Sequence, residues 1–164
     1  EKRFQNGDWI KVENIVEGVV EKIGFRSTLI RRFDSSPVMV PNFNFAENAV
    51  TNFSNMKSRR IYWTIGLEYR TTHDQLRIIR DQIEEYISSS GDFVKSSEQP
   101  LFVRLEKFSD SSIDILIYCF ATTTVWGEWL KIKEELALKI KSIVEENNAG
   151  FAFPSQSIYV EKNT

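Results

Sequence analysis

Ile61-Tyr62-Trp63-Thr64-Ile65-Gly66-Leu67, followed by Thr72-His73-Asp74-Gln75, is where the grammar of the chain changes. The first seven residues are rich in β-branched and aromatic side chains, which favours a strand. Thr72 with Gln75 three residues on is the signature of a capping box, so a helix begins there. Leu76, Ile79, Ile83 and Ile87 recur at three- and four-residue steps and make one apolar helix face. Gly91 is a natural stop for that helix.

Reading onward, Leu101 to Glu106 and Ile113 to Phe120 are strands joined by Ser109-Asp110-Ser111, which predicts a hairpin. A long helix runs from about Trp126 to Asn147, with Trp129, Ile132, Leu136, Ile140 and Ile143 on its inner face, and Asn148 or Gly150 ends it. Ser157, Ile158, Tyr159 and Val160 form a final strand. With right-handed crossovers, this order predicts a four-stranded antiparallel sheet covered by two helices, the ferredoxin-like βαββαβ arrangement.

Reading backward, residues 1–57 have a different pattern from residues 58–164. Trp9 to Val12, Ile15 to Ile23, Ser27 to Arg32, Val38 to Val40 and Ala49 to Phe53 read as short strands, with Gly18 and Gly24 as bends or bulges. Asp34-Ser35-Ser36-Pro37 reads as a turn. Short strands so close together predict a small barrel, and a unit that small buries little surface by itself. The whole chain is therefore read as α+β, with a polar boundary at Lys57-Ser58-Arg59-Arg60.

Composition narrows the function. The chain has 164 residues, 41% of them hydrophobic, and 21 Lys and Arg against 23 Asp and Glu give a net charge of −2. A domain built to hold a phosphate backbone is usually basic, and the Lys/Arg-Gly-aromatic signature of a sheet that binds RNA is missing, so no nucleic-acid partner is expected. The single cysteine, Cys119, allows no internal disulfide, and the single histidine, His73, excludes zinc sites of several Cys and His. The longest apolar run, Ile115 to Ala121, is far short of the roughly 20 residues a membrane helix needs. No signal peptide is recognised. Because it opens at Glu1 amid polar residues, the chain is read as a piece of a longer protein.

No catalytic residue, cofactor or metal is expected. His73 stands at a helix start with no nucleophile motif near it. Cys119 lies in an apolar strand, which favours a buried structural thiol. The adjacent pairs Glu84-Glu85 and Glu145-Glu146 diverge by about 100° on a helix, so neither can clamp a substrate. The glycines fit no phosphate-binding spacing. Basic residues gather at Arg26, Arg31 and Arg32 and again at Lys57, Arg59 and Arg60. Such a cluster acts over about 8 Å at physiological salt, which matters where it lines an aqueous opening.

Three stretches together resemble the small-conductance mechanosensitive channel (MscS) family. The first is Gly7-Asp8-Trp9-Ile10 with Gly18-Val19-Val20-Glu21-Lys22-Ile23-Gly24-Phe25-Arg26-Ser27-Thr28-Leu29-Ile30-Arg31. The second is Val40-Pro41-Asn42 with Asn52-Phe53-Ser54, and the third is Phe151-Ala152-Phe153-Pro154-Ser155-Gln156. Their order and spacing across nearly the whole chain carry the resemblance.

The resemblance implies an Sm-like β domain and then a ferredoxin-like domain, both from the cytoplasmic part of a homoheptameric channel in a bacterial inner membrane. The membrane helices and pore would lie upstream of Glu1, the piece itself being soluble. Copies would enclose a vestibule that prefilters ions and small solutes through side portals. Gly7, Asp8 and Trp9 would then lie at the membrane-facing end of the β domain. Pro41 and Asn42 match a Pro-Asn turn of that domain, with Phe43 where the family often has Gly. Arg59 and Arg60 match a basic pair near the portals, and Ser157 to Val160 match a strand that closes a barrel between copies. Two rivals remain. One is a soluble regulatory module whose ferredoxin-like sheet binds a small molecule. The other is an acylphosphatase-type enzyme, for which Gly66 and Arg70 stand in the wrong order.

Overall fold

The computed structural model describes residues 3–156 and 158, which fall into two compact units, Glu1–Met56 and Lys57–Thr164.

In the first unit, β1 (Trp9–Val12), β2 (Val16–Ile23), β3 (Ser27–Arg31), β4 (Pro37–Pro41) and β5 (Val50–Asn52) form one antiparallel sheet in the order β4-β3-β2-β1-β5. Side chains alternate across each strand. Ile10, Val12, Val16, Val20, Ile30 and Val40 therefore turn inward, and Phe45 plugs the core they make. Between β4 and β5 the chain forms a short helix, α1 (Phe43–Glu47), where the sequence reading had only a turn. The reason is tertiary: Phe45 is buried in the core, with its ring tilted against Phe4 at 5.0 Å, and one helical turn is what delivers it.

Gly18 is not a bulge, and Gly24 stands where β2 ends and the bend at Phe25 and Arg26 begins. The register shift in β2 falls between Val20 and Lys22. Gly18 is an in-register strand residue opposite Ile10, and a Cβ there would lie 2.3 Å from the Arg31 carbonyl oxygen. A Cβ on Gly24 would meet the Ser27 carbonyl at 2.7 Å. Both glycines let backbone approach backbone.

In the second unit, β6 (Arg59–Leu67), β7 (Phe102–Phe108) and β8 (Ile113–Ala121) pair in the order β6-β8-β7. Both outer strands are antiparallel to β8, so they are parallel to each other. The connection between them is α2 (His73–Ser89), which makes a split βαβ unit. The capping box is present: Thr72 accepts from the Gln75 amide and Gln75 accepts from the Thr72 amide. Ile79, Ile83 and Ile87 pack with Leu136, Ile140, Ile143 and Val144 of α3 (Trp126–Glu146) on one sheet face. Asn148, at φ 54°, takes the left-handed turn that ends α3.

Three strands of the second sheet lie among the described residues, and the fourth expected strand, Ser157 to Val160, falls almost wholly outside them. A single bridge, Leu67 with Phe151, starts a further lane along the free edge of β6. Ala152 donates to the Gly66 carbonyl, but by Ser155 the chain has moved to Ser111 in the β7–β8 hairpin. Of the expected final strand, Ser157, Tyr159 and Val160 lie outside the described residues, and Ile158 is exposed.

Candidate functional site

The fold brings the separated sequence signatures of the first unit into contact. Gly7 turns at φ 92°, and its amide donates to the Val20 carbonyl at 2.7 Å. The Asp8 carboxylate then accepts from the Gln5 amide at 2.9 Å and from Asn52 Nδ2 at 2.8 Å. The Trp9 amide donates to Ser54 Oγ at 2.9 Å, and its indole Nε1 to Glu17 at 3.1 Å. Its ring lies between Phe33 and Phe53, at 5.2 and 4.6 Å. Gly7-Asp8-Trp9 and Asn52-Phe53-Ser54 are thus one corner.

Asn42 ties a second corner. Its side chain donates to the carbonyls of Gly24 and Phe25 at 2.9 and 3.1 Å and accepts from the buried Thr28 hydroxyl at 2.9 Å. Its amide donates to the Arg26 carbonyl at 2.9 Å. Pro41 ends β4 in register with Ser27. Asn42 does not make an isolated turn; it stands in front of α1 with Phe43 as the first helical residue. The β2–β3 turn it holds carries Phe25, which is 98% exposed.

Arg59 and Arg60 start β6, and strand alternation sends them to opposite faces. Arg59 is 9% exposed: its Nε donates to the Thr124 carbonyl at 2.8 Å, and its guanidinium lies 5.3 and 5.5 Å from the rings of Trp126 and Trp129. Desolvation lowers its pKa below the usual arginine value, yet it stays a cation at any working pH. Arg60 is exposed on the other face, over Tyr62 and Tyr118 at 5.7 and 5.8 Å. The two charges do not form one patch. Period-two alternation was legible in the sequence and would have separated them. That Trp126 and Trp129 receive Arg59 was not legible.

The open face of the second sheet carries an aromatic cluster. Tyr62, Phe102 and Phe120 surround Tyr118 at 5.7, 6.1 and 5.5 Å. Trp63, by contrast, packs toward the core with Lys133 over its ring.

Several other titratable residues serve packing or surface pairing. Asp114 accepts from Ser109 and Ser112, each at 2.6 Å, and these bonds lower its pKa, tightening the β7–β8 hairpin. Burial pushes the Cys119 thiol up to about 12. His73 is exposed beside Asp74 and Arg77. Glu84 pairs with Arg104 at 2.9 Å, and Glu145 with Lys141. An open groove of about 740 Å³ between the β1–β2 and β3–β4 turns mixes Lys11, Glu17, Arg32 and Asp34 with Ile15 and Phe33. Among the described residues, no group of three His, Cys, Asp or Glu could hold a metal, and no helix is long and apolar enough to cross a membrane.

Two family models match in chain order. Residues 1–55 match the mechanosensitive ion channel beta-domain, and residues 61–151 match the C-terminal part of the mechanosensitive ion channel MscS. The chain belongs to the MscS family of mechanosensitive ion channels. It is 39% identical over its whole length to the low conductance mechanosensitive channel YnaI of Escherichia coli, covering 47% of that protein. It is 41% identical to an uncharacterised MscS family protein of Helicobacter pylori over 96% of this chain and 30% of the relative. The chain thus spans less than half the length of these relatives. Among solved structures, the closed-state crystal structure of Helicobacter pylori MscS superposes with a TM-score of 0.80 at 24% identity, over 98% of this chain and 60% of that one. The cryo-EM structure of Arabidopsis thaliana MSL1 gives 0.85 at 24% identity, over 93% and 54%. These likenesses establish the shared fold.

Proposed function

We propose that this chain is the vestibule-forming cytoplasmic part of a mechanosensitive channel of a bacterial inner membrane, and that its membrane helices and pore belong to sequence outside these 164 residues. The observation that carries this reading is the match to both channel modules, beta-domain then C-terminal, in that order along one chain. A bilayer pulls on a protein only through surface in contact with lipid, and no described helix provides it. The chain's role in this reading is assembly and filtering.

Copies assemble as a homoheptamer through head-to-tail contacts, which close into a ring only at the right rotation. Support comes from the first sheet, whose outer strands β4 and β5 are both edges. Each presents a row of backbone donors and acceptors open to pairing. Gly7, Asp8 and Trp9 face the membrane in this reading, as do Pro41 and Asn42. Ser157 to Val160 supply the strand that closes a barrel between copies. Arg59 and Arg60 border the side portals, with Arg60 offering its charge to passing ions and Arg59 holding the wall.

The test begins with the coding sequence upstream of Glu1. An apolar segment of about 20 residues there supports the channel. A start codon or another water-soluble domain in its place removes the pore and favours a ligand-binding module. Given the segment, the longer protein should open under suction in pressure-clamped patches. Arg60→Glu should then move the reversal potential in a salt gradient toward cations, and an unchanged reversal potential rejects the portal role. Arg60 is the residue to change, since replacing Arg59 would disturb the tryptophans packed on it.

A further inference from the structure

The second sheet is covered by helices on one face only. Its other face presents exposed Tyr62 and Phe102 beside half-buried Tyr118, Phe120 and Leu116 as a largely aromatic patch, with Arg60 at its rim. Contiguous apolar surface rimmed by polar groups marks an interaction site. The same chain carries a surface that fits it. Along the outer side of α3, Trp126, Leu130, Glu134 and Leu138 recur at four-residue steps and are all exposed. This stripe is apolar except for one acid near its middle. The sheet patch has Arg60 at one end and Thr64 and Arg104 beside Leu116 at the other, and Arg104 is already paired with Glu84. Neither Arg60 nor Glu134 has an ion-pair partner among the described residues.

The dimensions agree as well. Trp126 to Leu138 spans about 18 Å at helical rise. The patch runs about 14 Å along β6 from Arg60 to Thr64, and its three strands span about 10 Å at ordinary strand spacing. Helix and patch belong to one chain, but the helix's inner side already packs on the sheet's opposite face. Its outer stripe can therefore reach an open sheet face only in another molecule.

We infer that the aromatic sheet face of one copy seats the outer stripe of α3 from the next copy, with Arg60 paired to Glu134 of the partner subunit at the rim of the contact. The contact is heterologous, two different patches meeting, as a closed ring requires. Tyr and Phe supply most of its strength, and the rim pair sets register. Sitting at the rim, Arg60 remains beside the aqueous opening that a portal between copies requires, with its charge shared between Glu134 and passing ions, so the selectivity of Arg60→Glu is read only on channels shown to be assembled. This inference rests on the assembly reading above.

The test uses the longer protein in membranes, in a Cys119→Ser background. Tyr62→Cys combined with Leu130→Cys or Leu138→Cys should form intersubunit disulfides on mild oxidation, giving a ladder on a non-reducing gel. Each single-cysteine variant should give none. All three positions are surface-exposed, so the substitutions leave the fold intact. The parent protein is cross-linked in parallel with an amine-reactive reagent. A ladder from that reagent with none from either cysteine pair overturns this contact while assembly stands. No ladder from either reagent overturns assembly itself, and the contact with it. Independently, Arg60→Glu and Glu134→Arg should each weaken association in detergent by about fivefold, and the double variant should recover to within about twofold of the parent. A double variant as weak as the sum of the singles excludes the pairing.

Discussion

Gly18 shows how one missing side chain positions a sheet. Its neighbour across the backbone is the Arg31 carbonyl, 2.3 Å from where a Cβ would stand, and carbonyl backbone cannot rotate aside as a side chain can. Gly18→Ala should destabilise the first unit by about 2–3 kcal/mol, read as a shifted urea midpoint, because overpacking is relieved only by moving β2 from β3. A loss below 0.5 kcal/mol would mean that the strands can slide, contrary to this packing. Cys119 makes the opposite point, a reactive group disarmed by burial. Its folded pKa of about 12 stands above the ordinary 9.0, so the folded chain holds a proton that the unfolded chain releases. Stability contributed by the neutral thiol is full below about pH 9 and is lost as pH rises toward 12. At pH 8 the native chain should leave a thiol-specific colorimetric reagent unconsumed, and urea should release one equivalent. Rapid reaction without urea would show that the strand opens.

At the level of elements, α2 and α3 are joined by a residue that does two jobs. Gln75 completes the capping box of α2 through its side-chain oxygen, and its Nε2 donates to the Asn147 carbonyl at 2.8 Å, at the end of α3. Glutamate is equally at home in a capping box but has no proton to give a carbonyl. Gln75→Glu should therefore cost about 1–2 kcal/mol in thermal unfolding even though the cap survives, since it turns a donor toward the Asn147 carbonyl into an acceptor. A neutral result would assign Gln75 to the cap alone. The box was readable from Thr72 and Gln75, three residues apart. The tether was not, because Asn147 lies 72 residues further on.

For the whole molecule, the assembly reading places a demand on the C-terminal end. Deleting residues from Ser157 onward in the longer protein should lower the yield of the assembled form in detergent, measured by size-exclusion chromatography with light scattering. If the strand there closes a barrel between copies, the loss should be severalfold. An unchanged heptamer peak would move the whole burden of assembly to the edges β4 and β5 and the aromatic sheet face. The chain divides into its two compact units, Glu1–Met56 and Lys57–Thr164, close to where the sequence changes its periodicity. The bridge from Leu67 to Phe151 and the bond from Ser155 to Ser111 in the β7–β8 hairpin were not legible there, since each joins residues far apart along the chain.

Sequence alone carries whatever depends on near neighbours along the chain: strand alternation, the helix faces of α2 and α3, the capping box and a stop for α3 at Asn148 or Gly150. It also determined the family, through signatures spread over nearly its whole length. Tertiary structure alone decided what those signatures do to one another. Asp8 reaches Asn52, Trp9 reaches Ser54, and Asn42 holds the Gly24–Phe25 turn. It also parted two adjacent arginines, burying Arg59 against tryptophans and leaving Arg60 on the aromatic face. The physical reason is reach. Local pattern fixes which way a side chain points, whereas burial, pairing and partner depend on what the folded chain brings to meet it.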